Sequence, residues 1–176
     1  IPVYYRQGTD GNGTWKKDTA TVYPFKNNGA GTNVNYNQLT GGNWIQTPVT
    51  NNYYVCYFIY ATSNIYEPII AVQGQRQDSV ITDAKNNASP LNLLFSDFPV
   101  VEGKLLYRLI CRVSNAYLQN PHNIRIDDVT DYRTVGITVG GNTGGTGTVT
   151  YVGLSANPIM TISGTPITNA GTFTID

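Results

Sequence analysis

The chain has 176 residues, enough for one domain with a substantial core and a small additional piece. Its 11 basic and 11 acidic residues balance to a formal net charge of +0, and only 12% of all residues are charged. This balance gives no electrostatic basis for binding nucleic acid, and no stretch approaches the roughly twenty apolar residues of a membrane-spanning helix. A composition rich in Thr, Asn, Gly and Tyr is instead typical of β-rich extracellular or virion proteins.

The first fifty residues predict short strands separated by polar turns. Val3–Arg6 and residues 14–17 flank a turn rich in Gly, Asn and Asp, so they are expected to form a hairpin. Weak strand character follows at residues 34–36. Residues 44–46 leave a second turn at 41–43 as another strand.

The strongest strand signal is the segment 53–60, which is aromatic or aliphatic at nearly every position and is therefore expected to be covered on both faces. Residues 68–73 and 124–129 predict further strands. In the apolar segment 105–113, one parity is continuously apolar and is assigned to the core, whereas the other parity carries two arginines, Arg108 and Arg112. The predicted core set is Leu105, Tyr107, Leu109, Cys111 and Val113.

The two cysteines, Cys56 and Cys111, each lie inside one of these apolar strands. They fit either two small buried hydrophobic side chains or a disulfide between two core strands. The chain has a single histidine, and it and the two cysteines are far apart in sequence. These three residues lack the clustered spacing of a zinc site, and no cofactor is expected.

Helix signals are few. Residues 78–88 predict a short helix with Asp78 or Ser79 as its N-cap, and Ser89 before Pro90 predicts one or two further turns. The hydrophobic period is elsewhere close to two, so the predicted class is mainly β, with a sandwich or jelly-roll arrangement for residues 1–135. A Gly/Thr-rich linker is predicted at 136–147, followed by a fibre-forming β module at 148–176.

The last thirty residues repeat a short pattern, because Gly-Thr-Val-Thr-Tyr at 147–151 returns as Gly-Thr-Phe-Thr-Ile at 171–175. A meander of about three short strands is marginal alone, since it cannot shield an apolar face from water. This module is therefore expected to be completed by identical neighbours. The chain begins at Ile1 without Met, so a processed product or part of a longer polypeptide is expected.

Candidate catalytic groups are sparse. His122 lies in an apparent turn, and the glutamates Glu67 and Glu102 do not flank an aromatic strand end. The acidic run at 127–131 lacks the alternation and central Gly of a calcium loop. The Gly-rich tract 140–147 has no following Lys-Ser/Thr and precedes a strand, so it is not a phosphate-binding loop.

Aromatic residues offer a different kind of site. Trp15, Trp44 and several of the 13 Tyr lie next to turns, where exposed rings can cover the apolar face of a sugar. For any single ring, the favoured alternative is that it packs against neighbouring side chains across the sheet. A few of the rings would then form a receptor patch on the surface.

The segment 147–155, the Ser-Gly-Thr-Pro turn at 163–166 and the final Gly-Thr-Phe-Thr-Ile resemble a module of bacteriophage tail fibres and related virion fibres. Segments 3–6, 13–18, 67–76 and 104–108 are more loosely similar to a globular domain that precedes such modules in marine phage structural proteins. The resemblance implies a trimeric virion appendage, and it supplies no catalytic residues.

In such a trimer, five apolar residues of the module would share one core among three chains. They are Val152, Leu154, Ile162, Phe173 and Ile175.

The sequence therefore predicts a non-enzymatic structural protein on the virion surface, a segment of a homotrimeric tail fibre that contributes to host attachment. Its expected partners are its own copies, other virion proteins, and a host-surface glycan or protein, without nucleic acid or membrane insertion. Two alternatives are a capsid head fibre or decoration protein and a carbohydrate-binding or carbohydrate-active domain. Sugar turnover that is lost on changing His122 or Glu102 to Ala would favour the last.

Overall fold

The computed structural model describes residues 1–11, 14–19, 23–26, 33–100, 102–117 and 123–134. It also gives the backbone of three two-residue strands at 138–139, 162–163 and 174–175. The chain divides into two compact units, residues 1–143 and 144–176. No helix within the described ranges is long and apolar enough to cross a membrane.

The predicted mainly β class is confirmed. In chain order, strands β1 to β12 span Val3–Arg6, Gly8–Thr9, Trp15–Asp18, Asn35–Thr40, Asn43–Pro48, Tyr54–Thr62, Ile69–Asp78, Gly103–Val113, Ile124–Asp131, Thr138–Val139, Ile162–Ser163 and Thr174–Ile175. Helix α1 covers Ile81–Asn87, and a single 3-10 turn covers Pro90–Asn92.

The first unit is built on one large mixed sheet with the strand order β10-β8-β6-β7-β1-β3, in which β9 also pairs with β8. The β1–β7 pair is parallel, whereas the other neighbours in this sheet are antiparallel. The predicted hairpin of β1 with β3 is confirmed. Strand β10 lies within the stretch that the sequence predicts as a linker.

A small sheet, β2-β5-β4, accompanies the large one. Strands β4 and β5 are joined by Gly41 and Gly42, which have φ values of +54° and +74°. Positive φ at both central positions is the requirement of the tightest hairpin turns, and it explains the glycine pair.

Both faces of the large sheet are buried, as predicted for the central strand β6. On one face, Phe58 and Tyr60 pack with Ala84 and Phe98 of residues 79–100, which carry α1 and the 3-10 turn and are called the helical segment below. On the other face, Tyr57 packs with Tyr36 of β4. The large sheet thus lies between the small sheet and the helical segment, and neither the predicted sandwich nor the jelly-roll arrangement is confirmed.

The predicted core parity of β8 is partly wrong. Tyr107, Leu109, Cys111 and Val113 do share one face. Leu105, however, lies on the opposite face with Ile110, because a bulge in the β6–β8 pairing skips one residue and reverses the alternation.

The same face of β8, which the sequence does not assign to the core, carries a buried arginine. Arg108 Nη1 donates to the backbone oxygens of Lys85 at 2.9 Å and Ala88 at 3.1 Å, and Nη2 reaches Thr130 Oγ1 at 3.2 Å. It therefore supplies partners for carbonyl groups at the C-terminal end of α1 that the helix leaves unpaired.

The predicted N-cap of α1 is wrong as well. Val80 occupies the cap position without a side-chain hydrogen bond, and Asp78 instead ends β7 in an ion pair with Arg76. The second predicted cap is confirmed, since Ser89 Oγ accepts a hydrogen bond from the Leu91 backbone N–H at 3.2 Å.

Both cysteines are free and buried, which confirms their interpretation as small buried hydrophobic side chains. Cys56 is opposite Ile110 in the β6–β8 ladder, and Cys111 is opposite the preceding residue, Val55. Neighbouring positions of a strand point to opposite faces, so the two thiols lie in different core clusters and the disulfide alternative fails.

Candidate functional site

The aspartates of the acidic run at 127–131 form ion pairs with nearby Lys and Arg side chains. Asp127 pairs with Arg125 at 2.6 Å, Asp128 with Lys85 at 2.6 Å, and Asp131 with Arg133 at 2.7 Å. Throughout the described ranges, no group of three His, Cys, Asp or Glu side chains could hold a metal ion. His122 lies outside the described residues, and Glu102 is exposed immediately before β8.

Glu67, at the end of the β6–β7 turn, is a structural carboxylate. It accepts hydrogen bonds from Lys17 Nζ and, at 2.8 Å, from the Tyr4 hydroxyl. The Lys17 hydrogen bond lowers the Glu67 pKa, while burial and Glu67 raise the pKa of Tyr4 to about 12. A carboxylate kept ionised in this way is a poor proton donor, and its two hydrogen bonds tie the β6–β7 turn to strands β1 and β3.

The first unit carries a cleft of about 350 Å³ where the helical segment, strand β7 and the β4–β5 hairpin meet. Clefts of roughly 300–1,000 Å³ are the usual size for small-ligand sites. The lining residues are Gln38, Leu39, Trp44, Cys56, Phe58, Gly74, Gln75, Arg76, Asn87, Ala88, Ser89, Asn92, Leu93 and Leu94.

The floor of the cleft depends on a bulge in the β6–β7 pairing. Val55 is opposite Gln77 and Tyr57 is opposite Gln73, so three residues of β7 face the single residue Cys56. At Gly74, the first of these three residues, a Cβ would lie 2.4 Å from the Cys56 backbone oxygen. Only glycine allows the two backbones to approach this closely.

The rim is fixed by a side-chain amide that pairs with backbone. Gln75 Oε1 accepts from the Leu94 N–H at 2.8 Å, and Gln75 Nε2 donates to the Leu94 carbonyl at 3.2 Å. Arg76, next along the bulge, donates to the Asp78 carboxylate through Nε and Nη2. The charge of this arginine is thereby paired within the protein.

One wall is held by a buried arginine. The Arg6 guanidinium lies 4.4 Å from the Trp44 ring centroid and 5.6 Å from that of Trp15. Asp10 Oδ1 accepts from both Arg6 Nη2 at 3.0 Å and Trp44 Nε1 at 2.7 Å. Arg6 Nε also donates to Thr14 Oγ1 at 2.8 Å, so the Trp44 ring is clamped from two directions.

This arrangement supports the packing interpretation of the tryptophans. Trp44 is only 2% exposed, and Trp15 stacks on Phe95 with 6.0 Å between ring centroids. Trp44 shapes the cleft without presenting an open ring face.

The cleft has binding groups but no catalytic set. Among the residues that the structure describes, its polar lining consists of carboxamides, Ser89 and the paired Arg76, with no His, Asp, Glu or Lys. Burial raises the pKa of the Cys56 thiol to about 12, so this sulfur is not a nucleophile at neutral pH.

The sequence reasoning missed this cleft, because its lining comes from four separate segments. The usable signals were the glycine inside strand β7 and the asparagines at the end of α1 and in the 3-10 turn that follows it.

The predicted oligomer-interface residues fall in the second unit. There, β11 pairs antiparallel with β12, and Ile162 is opposite Ile175. Val152, Leu154 and Phe173 lie outside the described residues.

No protein-family model, no curated protein and no solved structure matches the chain.

Proposed function

We propose that the protein is a virion structural protein, a segment of a homotrimeric phage tail fibre, and that the cleft of its first unit contributes to attachment at the host surface. The observation that carries the attachment role is a cleft of about 350 Å³ lined by hydrogen-bonding groups without an acid–base pair or an available nucleophile. Such a lining can hold a ligand but cannot transfer a proton to it.

The rigidity of the cleft supports the same proposal. The rim is fixed by the Gln75–Leu94 pair, and the wall by the Arg6 clamp on Trp44. A site built on such pre-organised groups spends little free energy on ordering when it binds. In a trimer, three copies would act together, which increases the overall affinity for a surface that displays many ligands.

The trimer is supported by the sequence of the second unit and by its resemblance to fibre modules. A pair of two-residue strands, β11 and β12, is far below the size at which a sheet is stable alone. Neighbouring copies would add strands and apolar contacts to this pair.

Attachment is tested with fluorescently labelled protein on a panel of bacterial cells. Leu94 lines the cleft and is 49% exposed, whereas Leu91 is 69% exposed and does not line it. We expect the intact protein to be retained on some strains, Leu94→Trp to abolish that retention by filling the cleft, and Leu91→Trp to preserve it. Equal retention by the two variants, or turnover of a host polysaccharide by the intact protein, would contradict the proposal.

A further inference from the structure

We propose that the cleft binds a neutral saccharide, using the carboxamides of Gln38, Asn87 and Asn92 as its hydrogen-bonding groups. This inference rests on the proposed attachment function, since it names the class of surface ligand that the cleft accepts.

The three carboxamides match the chemistry of sugar hydroxyls. A carboxamide both donates and accepts hydrogen bonds, as a hydroxyl does, so neighbouring hydroxyls of a sugar can each find a partner. The Asn87 carboxamide has no hydrogen-bond partner within the described parts of the chain. Asn92 also lines the cleft, and its Nδ2 donates to the Asn87 backbone oxygen at 3.1 Å, so its Oδ1 is the end of the carboxamide that can accept from a ligand.

The Gln38 carboxamide is oriented by a hydrogen bond from the neighbouring strand β5. Its Oε1 accepts a hydrogen bond from Thr47 Oγ1 at 2.9 Å, so the oxygen end is fixed on the β5 side. The NH2 end of the same group can then donate to a ligand oxygen. A fixed carboxamide loses less conformational entropy on binding than a free one.

The apolar part of the lining suits the C–H face of a sugar ring. Phe58, Leu93 and Leu94 contribute hydrocarbon surface between the polar groups. A ligand with one apolar face and a hydroxyl-bearing edge satisfies both parts of the lining.

The charge of the lining selects a neutral ligand. Arg76 is the charged residue of the lining, and its guanidinium is held by the Asp78 carboxylate through both Nε and Nη2. An acidic sugar would have to compete with Asp78 for this arginine, and a cationic ligand would find no carboxylate in the lining.

An extended peptide is the main rival, since carboxamides also bind peptide groups. Peptides that add to a protein as a strand need free backbone N–H and C=O groups. At this rim, the N–H and C=O of Leu94 are already bonded to the Gln75 side chain. The backbone ladder that such a peptide requires is therefore occupied, which favours the saccharide.

The test is NMR titration of the full chain with neutral saccharides: glucose, galactose, mannose and N-acetylglucosamine, and disaccharides of each, at about 50 mM to detect millimolar dissociation constants. Glucuronic acid and a capped trialanine serve as acidic-sugar and peptide comparisons. At least one neutral saccharide is expected to shift the side-chain NH2 signals of Gln38, Asn87 and Asn92. Absence of shifts with every neutral saccharide, or tighter binding of glucuronic acid or the peptide at these signals, would overturn the inference.

Two variants on the same helix provide the matched control. Asn87→Ala removes a lining carboxamide and is expected to weaken binding about fivefold to tenfold, the effect of one net hydrogen bond. Asn86→Ala removes an exposed carboxamide one residue away that does not line the cleft, and it is expected to leave the affinity unchanged. Equal affinities of the two variants would contradict the assignment.

The two proposals can fail separately. Loss of cell retention in Leu94→Trp without saccharide binding would refute the ligand class and leave attachment through the cleft in place. Saccharide binding at the cleft with retention unaffected by Leu94→Trp would refute the attachment role.

Discussion

Replacing Gly74 by Ala tests the close approach of β6 and β7 that forms the floor of the cleft. The new methyl group would lie 2.4 Å from the Cys56 oxygen and 3.2 Å from the Cys56 carbonyl carbon. Carbon and oxygen pack between strands at about 3.3–3.6 Å, so the two strands would have to separate by roughly 1 Å. Both obstructing atoms belong to the backbone of a central strand and cannot rotate away.

The cost follows from general values for overpacked cores. We take about 3 kcal/mol, the upper end of the usual range, because the clash involves backbone. Alanine also restricts the unfolded chain, which favours folding by about 1 kcal/mol, so the net loss is about 2 kcal/mol. For a chain of this size, that loss corresponds to a fall in Tm of roughly 4–8 °C.

The assay is thermal unfolding followed by near-UV circular dichroism at fixed protein concentration. Gly42→Ala is the control, because its methyl group would meet nothing within 4 Å and the only strain is a φ of +74°. That strain costs roughly 1–2 kcal/mol and is partly offset by the same unfolded-chain effect, so a fall in Tm of at most about 4 °C is expected. A Gly74→Ala protein with the Tm of the intact chain would refute the bulge.

Three further predictions concern groups outside the cleft floor. Cys56 and Cys111 should resist iodoacetamide at pH 8 in the folded protein and react on unfolding, because burial raises the pKa of both thiols; rapid reaction of the folded protein would contradict this. The folded-state pKa of Glu67 is lowered, so its contribution to stability is present above about pH 4.3 and is lost as pH falls through the folded pKa. Glu67→Gln should therefore flatten the acid side of a Tm-against-pH curve, and an unchanged curve would refute the Lys17 contact. Arg108→Ala should lower the unfolding free energy by about 3 kcal/mol in denaturant titration, and Arg108→Lys should not restore it, because a single ammonium group cannot bridge the same partners.

Strand positions were predictable because each depends on a local pattern. The polar turn that β1 and β3 flank and the apolar run of β6 specify strands from local sequence alone. The glycine pair at 41–42 likewise specifies its own turn, since both residues need positive φ.

Partner-dependent features were not predictable. The position of Leu105 on the opposite face could be predicted only from the bulge in the β6–β8 ladder, which depends on how the two strands pair. Arg108 lies on the parity of its strand that the sequence does not assign to the core, and only the packing of α1 over that face makes it a buried partner of helix carbonyls. The cleft arises in the same way, because Gln38, Gly74 and Asn87 come together only in the folded domain.

Sedimentation equilibrium of the intact chain at micromolar concentration tests the proposed fibre assembly most directly. A trimer predicts three times the chain mass of 19.2 kDa, without dissociation on moderate dilution. A species of 19.2 kDa that stays folded at that concentration would contradict the proposal that neighbouring copies complete the second unit.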